Sequence, residues 1–65
     1  MPAEPNETGR TDWPGFHQAL VNAIAWTEQA RLVVPSPDGS DAQERRDRIR
    51  SARRWLEIAE EALPP

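Results

Sequence analysis

The chain has 65 residues, a formal net charge of −3 and no cysteine. That length allows one small domain at most, and a fold of this size hides only about 60% of the surface its unfolded chain exposes. The composition excludes disulfides, cysteine-ligated zinc and thiol chemistry, and a lone histidine argues against an imidazole metal centre.

The acidic balance argues against a general nucleic-acid binder, whose surface carries a basic surplus. All eight basic side chains are arginine. A GC-rich genome accounts for that bias, and forked guanidinium donors suited to interfaces are the alternative reading.

Segment 1–11 contains Pro2, Pro5 and Gly9 and shows no apolar periodicity, which predicts a disordered arm. No basic stretch leads into an apolar core there, so no secretory signal is expected, and Asn6-Glu7-Thr8 matches the glycosylation pattern by chance. No apolar run approaches the ~20 residues that span a bilayer, so no membrane partner is expected and the expected compartment is the cytoplasm. Met1 is expected of an intact natural chain.

A first helix is predicted over 12–34. Thr11 or Asp12 caps it, Pro14 lies in the first turn where its missing N–H costs nothing, and Gly15 weakens that turn. Glu28 and Arg31 are the only ionised side chains between Trp13 and Val34. At 100° per residue, Trp13, Phe16, Ala19, Leu20, Ala23, Ile24, Trp26, Thr27, Ala30 and Val34 fall within roughly half the circumference. The opposite side, with His17, Gln18, Val21, Asn22, Ala25, Gln29 and Leu32, is mild and partly apolar, and is expected to be covered. Trp13-Pro14-Gly15 resembles the Trp-x-Gly motif of the small secreted helical hairpins of actinobacteria. In that family the motif occupies the turn between the helices, whereas here it opens the first helix, and no family is assigned.

Pro35-Ser36-Pro37-Asp38-Gly39 breaks the pattern, which predicts a loop over 35–40. Ser40 followed by Gln43 has capping-box spacing, and Asp41 with Glu44 offers the same one residue on. A loop this short makes the helices antiparallel neighbours. The second helix is predicted over 41–63, stopped by Pro64-Pro65. Ala42, Ile49, Ala52, Leu56, Ala59 and Leu63 follow a heptad seam, with Trp55, Ile58 and Ala62 in a second stripe beside it. Asp41–Arg45, Glu44–Arg48 and Arg53–Glu57 are four apart and each supports the helix by a few tenths of a kcal/mol.

The fold class expected is therefore all-α, an antiparallel two-helix hairpin. One neighbouring helix covers only a strip of each wide face. Three tryptophans and several aliphatic side chains would otherwise form a patch larger than soluble monomers usually show. A two-helix contact is also too small to offset an ordering cost of about 1.5 kcal/mol per residue. The hairpin is expected to complete a four-helix bundle by dimerisation or to dock on a larger protein. Trp13, Phe16, Leu20, Ala23, Ile24, Trp26, Ile49, Ala52, Trp55, Leu56, Ala59 and Leu63 are the expected interface residues.

No residues assemble into an acid, base and nucleophile set, and Gly9, Gly15 and Gly39 are isolated, so no phosphate loop is present. No enzyme activity, cofactor or metal is expected. The expected function is a non-enzymatic protein–protein interaction module, a small accessory, adaptor or inhibitor protein; phage and mobile-element proteins, antitoxins and subunits of larger assemblies share this profile. One alternative is a nucleic-acid-binding dimer whose Arg46, Arg50, Arg53 and Arg54 contact phosphates, although interleaved acids oppose it. Another is an oligomer with a small-ligand pocket lined by Trp and Arg. Arg45 and Arg48 fall in the seam near the loop, and are expected to snorkel to solvent or to meet acidic groups of a partner. Glu57, Glu60 and Glu61 sit where the helix dipole disfavours them, and in an antiparallel dimer they would face the arginines of the other copy.

Overall fold

The computed structural model describes residues 11–64. Apart from Thr11, the arm expected over 1–11 lies outside them. Two helices, α1 (Trp13–Arg31) and α2 (Asp41–Glu61), pack against each other, and the described residues contain no strand.

Asp12 starts α1. Its carbonyl accepts from the Phe16 N–H at 2.8 Å and its Oδ1 from the Gly15 N–H at 3.3 Å. A Cβ at residue 15 would fall on the Asp12 carboxylate, so the glycine that weakens the turn also leaves room for its cap. The helix stops at Arg31, earlier than the expected Val34, with the Leu32 N–H donating to the Glu28 carbonyl at 3.0 Å. Pro35 pushes the preceding residue out of the helical region, and this unwinds the last turn. The phase shift decides which valine faces inward: Val33 is 7% exposed and Val34 is 79% exposed. Val34 therefore does not belong to the packed face.

The capping box expected at Ser40 does not form, because the Ser40 side chain makes no cap hydrogen bond. Ser36 takes its place from across the loop. Its Oγ accepts from the Asp41 N–H at 2.8 Å and donates to Asp41 Oδ1 at 2.9 Å, while its N–H reaches the same oxygen at 3.1 Å. Asp41 is thereby turned toward the loop. Gly39 adopts φ +80°, the left-handed conformation that closes this tight turn.

The buried seam is made of small residues: Ala19, Ala23, Ala30 and Val33 from the first half, Ala52 and Ala59 from α2. Ile49, Leu56 and Leu63, expected in the same heptad seam, lie beside it and stay exposed. Alanines at the contact let the helix axes approach closely, and side chains with longer stems are then displaced to the flanks. Each buried alanine hides one methyl group, on the order of 0.8 kcal/mol. Of the three expected ion pairs, Asp41–Arg45 (2.8 Å) and Glu44–Arg48 (2.6 Å) form, while Glu57 approaches Arg54 at 3.8 Å instead of Arg53.

Candidate interaction surface

The loop end of the hairpin is chemically closed. Arg45 lies in the heptad column of Ala52 and Ala59, so its side chain enters the seam where α1 ends. Its Nη1 donates to the Ala30 carbonyl at 3.0 Å, its Nη2 to the Val33 carbonyl at 2.8 Å and its Nε to Asp41 Oδ2 at 2.8 Å. One guanidinium thus satisfies carbonyls left over at the end of α1 and ties them to the first turn of α2. The expectation that Arg45 snorkels or awaits a partner is corrected: its acceptors belong to its own chain. Arg48 is similar, reaching Glu44 at 2.6 Å and the Gln29 carbonyl at 3.4 Å. The Arg45 guanidinium, then the Ser36 N–H and hydroxyl, hold the Asp41 carboxyl well below the usual carboxylate range. Asp38 is lowered by the Ser40 N–H and by the hydroxyls of Ser40 and Ser36.

The two sides of the seam are open. On one side Leu20, Ala23, Ile24, Thr27, Glu28 and Leu56 line a shallow groove of about 300 Å³. Ile24 is 68% exposed there and Leu56 50%. Thr27 does not add a free hydroxyl, because its Oγ1 donates back to the Ala23 carbonyl at 2.8 Å. On the other side Trp26 and Trp55 flank a cleft of about 480 Å³ completed by Asp47, Arg50, Ser51 and Arg54. At the open end Trp13 and Phe16 meet edge to face, ring centroids 5.4 Å apart, with His17 against both.

The expected interface residues therefore divide. Ala23, Ala52 and Ala59 are buried between the two helices of the same chain. Trp13, Ile24, Trp26, Ile49, Leu56 and Leu63 remain exposed, and Phe16, Leu20 and Trp55 are half-buried at the seam edges. Val21, on the back of α1, and Leu32, just past its end, are exposed too.

The arginine face is only partly free. Arg50 pairs with Asp47 at 3.3 Å and Arg54 with Glu57 at 3.8 Å, while Arg46 donates to the Gln43 side chain at 3.2 Å. Among the described residues Arg46 and Arg53 have no carboxylate within ion-pair distance, and on the same helix neither Glu60 nor Glu61 has a cation. Sequence reasoning missed Arg45 and Ser36 as functional side chains. The available signal was an arginine on a seam position one turn after a short loop, where the preceding helix leaves its carbonyls.

Among the described residues no helix is long and apolar enough to cross a membrane. Neither a family model, nor a curated protein, nor a solved structure matches the chain.

Proposed function

We propose that the chain is a non-enzymatic interaction module that works by burying the flanks of its alanine seam against another protein surface, in a four-helix bundle or on a larger partner. One observation carries this reading: the small residues are used inside the hairpin, and the large apolar ones, Ile24, Ile49 and Leu56 among them, are left at its edges. A lone hairpin gains little from such a distribution, whereas a second layer of helices would cover both flanks. The nucleic-acid reading is weaker, since Arg50 and Arg54 already contact carboxylates that would repel a phosphate backbone.

Light scattering after gel filtration, with helicity and thermal unfolding followed over a range of chain concentrations, tests the reading. A multimer, or a Tm that rises with chain concentration, is the expected result. A single-chain mass with cooperative unfolding at a concentration-independent Tm would overturn it. Ile24→Glu combined with Leu56→Glu should abolish association, because both side chains are solvent-facing in the single hairpin and charged ones there would be buried on assembly.

A further inference from the structure

The occupant of the Leu20–Leu56 groove can be named from the charge pattern beside it. On α2, Ile49 and Leu56 form one heptad column on the exposed flank, which Leu63 continues just past the end of the helix. The next column outward is Arg46, Arg53 and Glu60, three residues earlier in each repeat. That column changes sign along its length, and it holds the two α2 cations and one of the two α2 carboxylates that lack an opposite charge within the hairpin. A column that runs from positive to negative is complementary to itself when turned end for end. Parallel pairing would set arginine on arginine and glutamate on glutamate.

Three heptad registers align the apolar column with its own reverse. Centring the pair on Leu56 sets Ile49 opposite Leu63, and Arg53 comes within one residue of the level of Glu60. Sliding by one heptad toward the loop brings Arg53 onto its own copy, and sliding the other way does the same to Glu60; like charges directly opposed are unfavourable. The loop-ward register also brings Arg46 level with Glu60, but with Arg53 on its own copy at the axis; only the Leu56-centred register pairs opposite signs without opposing like ones. Because Leu20 and Leu56 line the same groove, a two-fold axis at Leu56 also brings Leu20 to its own copy.

We propose, resting on the interaction reading above, that a second copy of this chain covers the Leu20–Leu56 groove in an antiparallel two-fold arrangement, setting Leu56 against the partner's Leu56 and Arg53 against the partner's Glu60. The complex is a four-helix bundle in which α2 crosses α2 and α1 crosses α1. Each Arg53–Glu60 contact occurs twice. Glu60, which the helix dipole disfavours within one chain, gains a cation from the other.

Charge exchange in the full chain tests the register. Arg53→Glu and Glu60→Arg, each alone, should weaken self-association by about tenfold, since two exposed pairs become two repulsions. An equimolar mixture of the two variants should recover the wild-type affinity, because both contacts are restored across the heterodimer. The residues are seven apart on one helix, so no effect within a single chain yields that recovery. The chain has no cysteine, so Leu56→Cys should cross-link to a covalent dimer on mild oxidation, whereas Val21→Cys, on the far side of α1, should not. A dimer indifferent to both charge reversals and refractory to the Leu56→Cys cross-link overturns the register and leaves the interaction reading standing. A poorly helical single chain overturns the second copy in favour of a larger partner. A well-folded single chain with a concentration-independent Tm removes both.

Discussion

The two ends of the seam solve different problems. Near the loop, Ser36, Asp41 and Arg45 form one network that also satisfies the Ala30 and Val33 carbonyls at and just past the end of α1. Further along, the seam is alanine, and the side chains with most apolar surface stand outside it. Polar groups are completed locally and apolar groups are left incomplete. The contrast separates what makes the hairpin from what the hairpin presents: the loop network fixes the relation of the two helices, and the flanks carry the surface that association would bury. An interaction module needs both, since a partner is best met by a face already arranged.

The largest expected effect comes from breaking the closed end. Arg45→Ala leaves the Ala30 and Val33 carbonyls and Asp41 without their shared donor, and should cost about 2–3 kcal/mol at fixed chain concentration, lowering Tm by roughly 10–20 °C. Arg45→Lys should recover only part, because an ammonium cannot reproduce the fork. Next comes the turn: Gly39→Ala should cost about 1 kcal/mol, seen as a lower Tm, because φ +80° is unfavourable for a residue with a Cβ. Acid sharpens the comparison in a different way. The Asp41 carboxyl lies below its ordinary value of 3.8 in the folded state, so its stabilising contribution is complete above that value and is lost as pH falls beneath it. Tm should therefore fall between about pH 5 and 2 less steeply in Asp41→Asn than in the wild type. The smallest effect belongs to Val34→Ser. With its side chain 79% exposed just past α1, it should change stability by less than about 0.5 kcal/mol.

The pair of helices was legible because two signals agree. Apolar residues recur at helical spacing on either side of Pro35-Ser36-Pro37-Asp38-Gly39, and that loop is too short for anything but a hairpin. Which part of each apolar face would be consumed inside the hairpin was not legible. Periodicity puts Ile49, Ala52, Leu56 and Ala59 on one broad face and does not say which of them meet the other helix; the structure buries Ala52 and Ala59 and leaves Ile49 and Leu56 exposed. Ser40 looked the better cap by spacing, but capping depends on the path of the loop, and Ser36 is folded back onto Asp41. Arg45 could be placed on the seam and not interpreted, since its acceptors are backbone carbonyls of α1 and of the segment just after it. The unpaired state of Arg53 and Glu60 likewise emerged only once the other charges had found their neighbours.

The Arg45 contacts have a kinetic consequence as well. They join residues only 15 and 12 positions apart, so the first long-lived tertiary contacts close over a short stretch of chain at small entropic cost. Folding is expected to start at the turn and to zip outward along the alanines, reaching Trp13 and Leu63 last. Unzipping runs the other way. The end that opens most readily is the aromatic one, so amide protons near Trp13 should exchange faster than those around Ala52, and association would slow them most by holding the zipper shut.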